Sequence, residues 1–205
     1  MPRGRFIVVE GGEGSGKSTQ VALLARRLRE AGREVVETFE PGATALGARL
    51  RDLLLHDGGA VDARAELLLL AADRAVHVAE VVRPALERGA DVVSDRFAPS
   101  TLAYQGRARG LGVDVVASIS RFAAGDLEPD LVVVLDVAHD QARARRPDPT
   151  DRFERAPDAF HRAVREAYRE LAGSFGWVVV DGSAGAPGEV AERVWQACVA
   201  RFGAT

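Results

Sequence analysis

Lysine is almost missing from this chain. Of 27 basic residues among 205, Lys17 alone is not an arginine. A composition that has shed lysine elsewhere keeps one where a compact ammonium is wanted. Cysteine is equally scarce: the single Cys198 excludes an intrachain disulfide and a thiolate zinc cluster. The four histidines show no metal-ligand spacing. Neither sign of charge dominates: the formal net charge is −3 and the isoelectric point about 5.9. No basic footprint for nucleic acid is present, so no nucleic-acid partner is expected. No apolar run approaches ~18 residues and no signal-peptide pattern precedes the first strand, so the expectation is a cytoplasmic protein without a membrane segment. Repeats, low-complexity tracts and linkers are also lacking. With 47% hydrophobic and 28% charged residues, the chain is expected to fold as a single domain over 1–205.

What is present is organised around Gly11-Gly12-Glu13-Gly14-Ser15-Gly16-Lys17-Ser18-Thr19, which fits the phosphate-binding pattern G-x-x-x-x-G-K-[ST]. Glycines let backbone N–H groups crowd around phosphate oxygens, and the following helix points its positive end at them. Lys17 adds a point charge near the β- and γ-phosphates, and the Ser18 hydroxyl can ligate Mg²⁺. The context agrees. Arg5 to Glu10 reads as a strand entering the loop, and Gln20 to Ala31 as a helix with Val21, Leu24, Ala25 and Leu28 on one face.

Further strands are predicted at 34–39, 91–94, 131–135 and 177–181. Helices are predicted over Thr44 to His56, from an Asp62 cap to about Arg88 with a kink at Pro84, and over 113–124, 157–173 and from Pro187 onward. Another starts near His139 and runs into an Arg/Asp/Pro-rich stretch at 145–156. Alternating strands and helices argue for an α/β fold, a five-stranded parallel sheet with helices on both faces and ligands at the carboxyl ends of the strands. Three polar clusters should gather at that edge. Asp95-Arg96 ends a buried strand, where an Asp can hold Mg²⁺ and an Arg can grip phosphate. Asp73-Arg74 lies on the long helix. The third cluster combines Arg143, Arg145, Arg146, Arg152 and Arg155 with Asp148, Asp151 and Glu154. As a mobile lid it would bring guanidinium groups onto a transferring phosphoryl group.

Together these features resemble the bacterial thymidylate kinases nearly end to end. The resemblance rests on the acidic residue in the phosphate loop (Glu13), on Glu40-Pro41-Gly42, and on Ala71-Ala72-Asp73-Arg74-Ala75. Its most specific part is Asp95-Arg96-Phe97-Ala98-Pro99-Ser100-Thr101-Leu102-Ala103-Tyr104-Gln105-Gly106, close to D-R-Y-x-x-S-x-x-A-Y-Q-G. Pro129-Asp130-Leu131 through Leu135-Asp136-Val137, and Asp151-Arg152-Phe153-Glu154 in the lid, belong to it as well. The resemblance implies a P-loop kinase fold with an Arg-rich lid, and transfer of the γ-phosphoryl of ATP to dTMP with Mg²⁺. It implies that residues 11–19 hold the nucleotide, and that Ser18 and Asp95 serve the metal. Arg74 and Gln105 would read the thymine edge, Arg96 would hold the dTMP phosphate with Arg51 nearby, Glu40 would lie at the deoxyribose, and Tyr104 would fill the space below it. Pro41, Ser100 and Thr101 complete the expected acceptor set. The expected catalytic residues are Lys17, Arg96, the lid arginines Arg146 and Arg152, and Glu13. Because Glu13 would repel phosphate, it is expected to orient lid arginines or the acceptor's surroundings. A homodimer packed through helices of the long-helix type is also implied.

Two residues depart from the family pattern. Phe39 stands where an arginine usually precedes Glu-Pro-Gly, and Leu70 stands where an aromatic usually stacks on thymine. In one reading Phe39 leans over the base and Arg51 or Arg96 covers the lost phosphate contact. In the other Phe39 is core and Leu70 gives an apolar lid. A related kinase acting on another nucleotide or a deoxynucleoside, and a non-kinase P-loop ATPase switch, remain as alternatives on these residues alone.

Overall fold

A computed structural model describes residues 2–55, 61–145, 148 and 150–203. Five parallel strands form one sheet in the order β2-β3-β1-β4-β5: β1 (Phe6–Gly11), β2 (Val35–Phe39), β3 (Asp91–Asp95), β4 (Leu131–Asp136) and β5 (Val178–Asp181). β1 is buried throughout. Its side chains alternate between two cores, as strand geometry requires. Phe6 and Val8 join one core beneath α3 (Ala63–His77), α6 (Val113–Ala124) and α8 (Asp158–Phe175). Ile7 and Val9 join the other, with Val21, Leu24 and Leu28 of α1 (Lys17–Glu30) and Val190 and Val194 of α9 (Pro187–Phe202). Strand register decides where the chemistry falls. Phe39 pairs with Asp95, Val9 with Asp95, and Gly11 with Leu135. The carboxyl ends of the three central strands and β2 therefore form one polar edge.

The remaining helices are α2 (Ala45–Leu55), α4 (Arg83–Glu87), α5 (Ala98–Thr101) and α7 (His139–Arg145). The predicted end of α2 at His56 lies outside the described residues. One expectation is corrected. The long helix does not run as a simple kinked rod from Asp62 to Arg88. Asp62 caps it by accepting from the Arg64 N–H at 3.0 Å, but between α3 and α4 the chain widens into a π-type segment, Val78–Val82. Pro84 lacks an N–H and its ring crowds the carbonyl four residues earlier, and the wide segment makes that room. A second π-type segment, Leu102–Ala108, carries Tyr104 and Gln105. Such bulges commonly fall at functional sites.

Candidate active site

The loop between β1 and α1 is shaped by positions where a side chain would not fit. Gly14 has φ +69°, and a Cβ there would lie 2.3 Å from the Ala142 carbonyl oxygen of α7. Gly16, with φ +91°, turns the chain into α1. Lys17 is buried. Its Nζ donates to the Gly12 carbonyl at 2.7 Å and to Ser15 Oγ at 3.4 Å. Burial, and then the nearby Arg96, lower its pKa. Ser18 Oγ donates to Asp95 Oδ2 at 2.6 Å. A cavity of about 730 Å³ opens here, lined by the loop together with Phe39, Glu40, Arg51, Asp95, Arg96 and Arg145.

A second cavity of about 170 Å³ adjoins it and shares Glu13, Glu40, Arg51 and Arg96. Pro41, Leu55 and Leu70 give it apolar wall. Arg74, Ser100, Thr101, Tyr104 and Gln105 give it polar wall, and Thr150, Asp151, Phe153 and Glu154 close it from the lid side. The structure thus brings together every acceptor residue the sequence suggested except Phe39.

Arg96 stands where the two cavities meet. Its φ of +73° lies in the left-handed region, unusual for a residue with a side chain, and such a conformation costs on the order of 1–3 kcal/mol. The surroundings over-determine it. The guanidinium donates to Glu13 at 2.5 Å, Ser100 Oγ at 2.9 Å, the Gly11 carbonyl at 3.2 Å, Tyr104 Oη at 3.3 Å and Tyr168 Oη at 3.4 Å. Burial opposes its charge, but the Glu13 carboxylate together with Tyr104, Tyr168 and Asp95 more than offsets that and holds it protonated. Beneath it, the buried Glu10 carboxylate accepts from the Phe97 N–H at 2.8 Å, Ser100 Oγ at 2.6 Å and Tyr168 Oη at 2.8 Å. These bonds fix the turn that carries Arg96. Burial raises the Glu10 pKa, against the pull of Arg96 and of these donors.

α3 contributes a stripe of buried polar residues at helical spacing: Glu66, Asp73, Arg74 and His77. Arg74 donates through Nε and Nη2 to Glu40 Oε2 at 3.1 and 2.9 Å, through Nη2 to Thr101 at 2.9 Å, and through Nη1 to Ser120 at 3.2 Å. Five N–H groups are available to arginine, so one on Nη1 is left over by these four bonds. His77 lies 2.9 Å from Glu40 and 2.6 Å from Thr38. Asp73 accepts from the Gly42 N–H at 3.0 Å, and burial followed by the Glu40 charge raises its pKa to about 6.

Several placements differ from expectation. Phe39 is 44% exposed, so it is not core. It lines the loop cavity with the Arg51 guanidinium 5.9 Å from its ring centre, and it does not line the cavity that holds Leu70 and Gln105. Its backbone ends an edge strand whose register aims the ring at the sheet's carboxyl edge. Leu70 forms an apolar wall. Glu40 reaches both cavities, but its carboxylate is already held by Arg74 and His77. Arg51 donates to the Pro41 carbonyl at 2.7 Å. Arg152 does not point at the phosphate loop: the buried carboxylate of Glu66 draws its Nη2 to 2.7 Å. Of the lid arginines, Arg145 lines the loop cavity, while Arg143 and Arg155 line a small cleft beside Glu13. Arg146 lies outside the described residues. Sequence reasoning missed Glu10, Glu66, His77 and Tyr168. A lone carboxylate ending the run Phe6-Ile7-Val8-Val9 was a readable signal for Glu10, and charges at core positions of α3 for Glu66 and His77. Tyr168 had none, because its partners lie 68 and 158 residues away.

The family model described as thymidylate kinase matches residues 9–194. The chain is 47% identical over 184 residues to a thymidylate kinase of Halothermothrix orenii, covering 87% of this chain and 89% of that one. It is 52% identical over 172 residues to that of Leifsonia xyli, covering 82% of each. It is 51% identical over 175 residues to that of Pseudomonas entomophila, covering 83% and 82%.

Proposed function

The chain belongs to the thymidylate kinase family, and from that premise we propose how its residues move the γ-phosphoryl group of ATP onto dTMP, giving dTDP and ADP. The observation that carries the proposal is the meeting of two cavities at Arg96, one built by the phosphate loop and one walled by Arg74 and Gln105. ATP lies with its phosphates in the loop, where backbone N–H groups and Lys17 face them. The added negative charge favours the protonated form of Lys17 against the burial that depresses its pKa. dTMP lies in the smaller cavity, its phosphate on Arg96 and its base toward Arg74 and Gln105. A phosphate oxygen of dTMP attacks the γ-phosphorus, and the bond to the β–γ bridging oxygen breaks. No covalent nucleophile of the protein is required; positioning and charge neutralisation do the work.

Ser18 and Asp95 present hard oxygens in mutual contact at the loop's mouth, a donor set that suits Mg²⁺. They would hold it, and bound there it would offset charge on the β- and γ-phosphates. Glu13 acts by orienting Arg96, to which it is already paired. Among the described lid arginines, Arg145 is the one that lines the loop cavity.

A homodimer is supported by Leu68 on α3 and by Val115 and Phe122 on α6, which are 60%, 56% and 89% exposed. Val115 and Phe122 are seven residues apart and so share one helix face. No helix among the described residues is long and apolar enough to cross a membrane, and dependence on ATP supports a cytoplasmic site of action.

The test is ADP release with ATP and Mg²⁺ against dTMP, dUMP, dCMP, dGMP, UMP and thymidine in turn. Turnover should be far faster with dTMP than with dCMP, dGMP or thymidine. Faster turnover with any of those three would overturn the acceptor assignment.

A further inference from the structure

We propose that Glu66 is the positioning residue that sets the hydrogen-bonding sense of the base pocket, acting through Gln105. This rests on the reading above that the acceptor's base occupies the cavity lined by Arg74 and Gln105. Glu66 is fully buried and does not itself line that cavity. Its Oε1 accepts from Gln105 Nε2 at 2.6 Å, and its Oε2 accepts from Arg152 Nη2 at 2.7 Å and Arg109 Nη2 at 3.3 Å.

A glutamine amide carries a donor end and an acceptor end of nearly the same shape, and only its partners decide which way round it sits. A carboxylate gripped by two guanidinium groups can only accept. Gln105 must therefore turn its NH₂ toward Glu66, and its carbonyl Oε1 becomes the atom it can offer to the cavity. That Oε1 is buried and has no partner among the described residues. Leaving such a group unmatched is costly, so the pocket favours a ligand with an N–H at that point.

Arg74 completes the pattern. Four of its N–H groups are taken by Glu40, Thr101 and Ser120, which leaves one donor on Nη1. One donor and one acceptor on residues that wall the same cavity match a pyrimidine whose ring N3–H adjoins a 4-carbonyl. A 4-amino pyrimidine presents the opposite pair, and it would meet Gln105 acceptor to acceptor. With its amide reversed, Gln105 would no longer reject it. Glu66 also receives Arg152 from the lid, so the carboxylate that fixes the base-reading amide also seats the lid.

The test compares kcat/KM for dTMP and dCMP in the wild type and in Glu66→Gln, Glu66→Asp and Arg109→Leu. A glutamine at 66 can accept or donate and so frees the amide to turn. An aspartate keeps the charge between the arginines but withdraws it from Gln105. Both variants should lower the dTMP/dCMP ratio about tenfold or more, the effect of one reversed hydrogen bond. Arg109→Leu removes the longer bonds to Glu66, 3.4 Å to Oε1 and 3.3 Å to Oε2, but not the 2.6 Å bond from Gln105 or the Arg152 pairing, and should keep the ratio within about twofold. A purely structural role for Glu66 would lower both activities together and leave the ratio alone. A wild type that does not distinguish the two nucleotides defeats the acceptor reading and this inference with it. A discriminating wild type whose ratio survives both Glu66 changes, or falls equally in Arg109→Leu, overturns the inference alone.

Should neither Glu66 variant fold, ¹⁵N NMR of the Gln105 side chain in the wild type decides the matter. Amide protons protected from exchange both with and without dTMP support Glu66 as their partner. Protection that appears only when dTMP binds overturns it.

Discussion

The donor end and the acceptor end of this molecule are built in opposite ways. The proposed donor end is nine consecutive residues, 11–19, a glycine-rich turn whose lysine, Lys17, is held by its own loop. The proposed acceptor end draws Glu40, Arg74, Arg96 and Gln105 from four separate elements and holds them by buried and half-buried side-chain bonds spanning tens of residues. A backbone-made site inherits its precision from local geometry. A side-chain site must obtain it from a network in which each member fixes another. Mutations should therefore separate the two ends, apart from Glu13, whose pairing with Arg96 ties them: other changes at the donor end should act on rate with little effect on stability, and changes at the acceptor end should act on both.

The sharpest break should come from Glu40→Ala. It takes the counter-charge from the buried Arg74 guanidinium, which keeps the neutral Thr101 and Ser120 hydroxyls, and removes one of the two partners of His77. Breaking a buried pair costs about 3–5 kcal/mol, so urea unfolding should show that loss together with a raised KM for dTMP. Lys17→Met should lower kcat by roughly 10²–10³-fold, the scale of losing one charge-stabilising donor. Its unfolding midpoint should stay near the wild type's, since the residue mainly serves bound phosphate.

Asp73 sharpens the comparison through pH. Its pKa of about 6 in the folded chain lies above the ordinary 3.8. Between these values the folded state binds the proton more tightly than the unfolded state does. This group's contribution to stability therefore falls as pH rises from about 4 to 6. The shift corresponds to no more than ~3 kcal/mol. Unfolding at pH 4 and pH 7 should show that component in the wild type and its absence in Asp73→Asn. The smallest effect is expected from Tyr168→Phe, which removes one donor from Glu10 while Phe97 and Ser100 keep theirs. A loss of about 1–1.5 kcal/mol in stability should accompany a modest fall in kcat/KM, because the turn beneath Arg96 loosens.

The same contrast explains what could be read from the sequence. The phosphate loop, the parallel sheet and the Asp95-Arg96 strand end are local patterns, and they stood in the chain as letters at fixed spacing. The π-type segments did not, because only the crowding of Pro84 against its preceding turn creates the first. Tyr168 was illegible for a different reason, and Glu66 was legible only as a charge at a core position of α3: each acts through partners that become neighbours only after folding. The partner of Arg152 was hidden on the same ground: a lid arginine read in isolation suggests phosphate, and only folding brings a buried carboxylate across the cavity to it. Phe39 went the other way, since the exposed end of an edge strand left its ring at the mouth of the loop cavity and not in the core.

The most direct test of the separation between the two ends is calorimetric titration of dTMP into Lys17→Met beside the wild type, followed by a single-turnover measurement with ATP and Mg²⁺. If the acceptor end is assembled by its own side-chain network, the variant will bind dTMP with unchanged affinity while phosphoryl transfer is lost. A dTMP affinity that collapses along with the rate would mean that the acceptor pocket depends on the loop, and the two ends would have to be treated as one site.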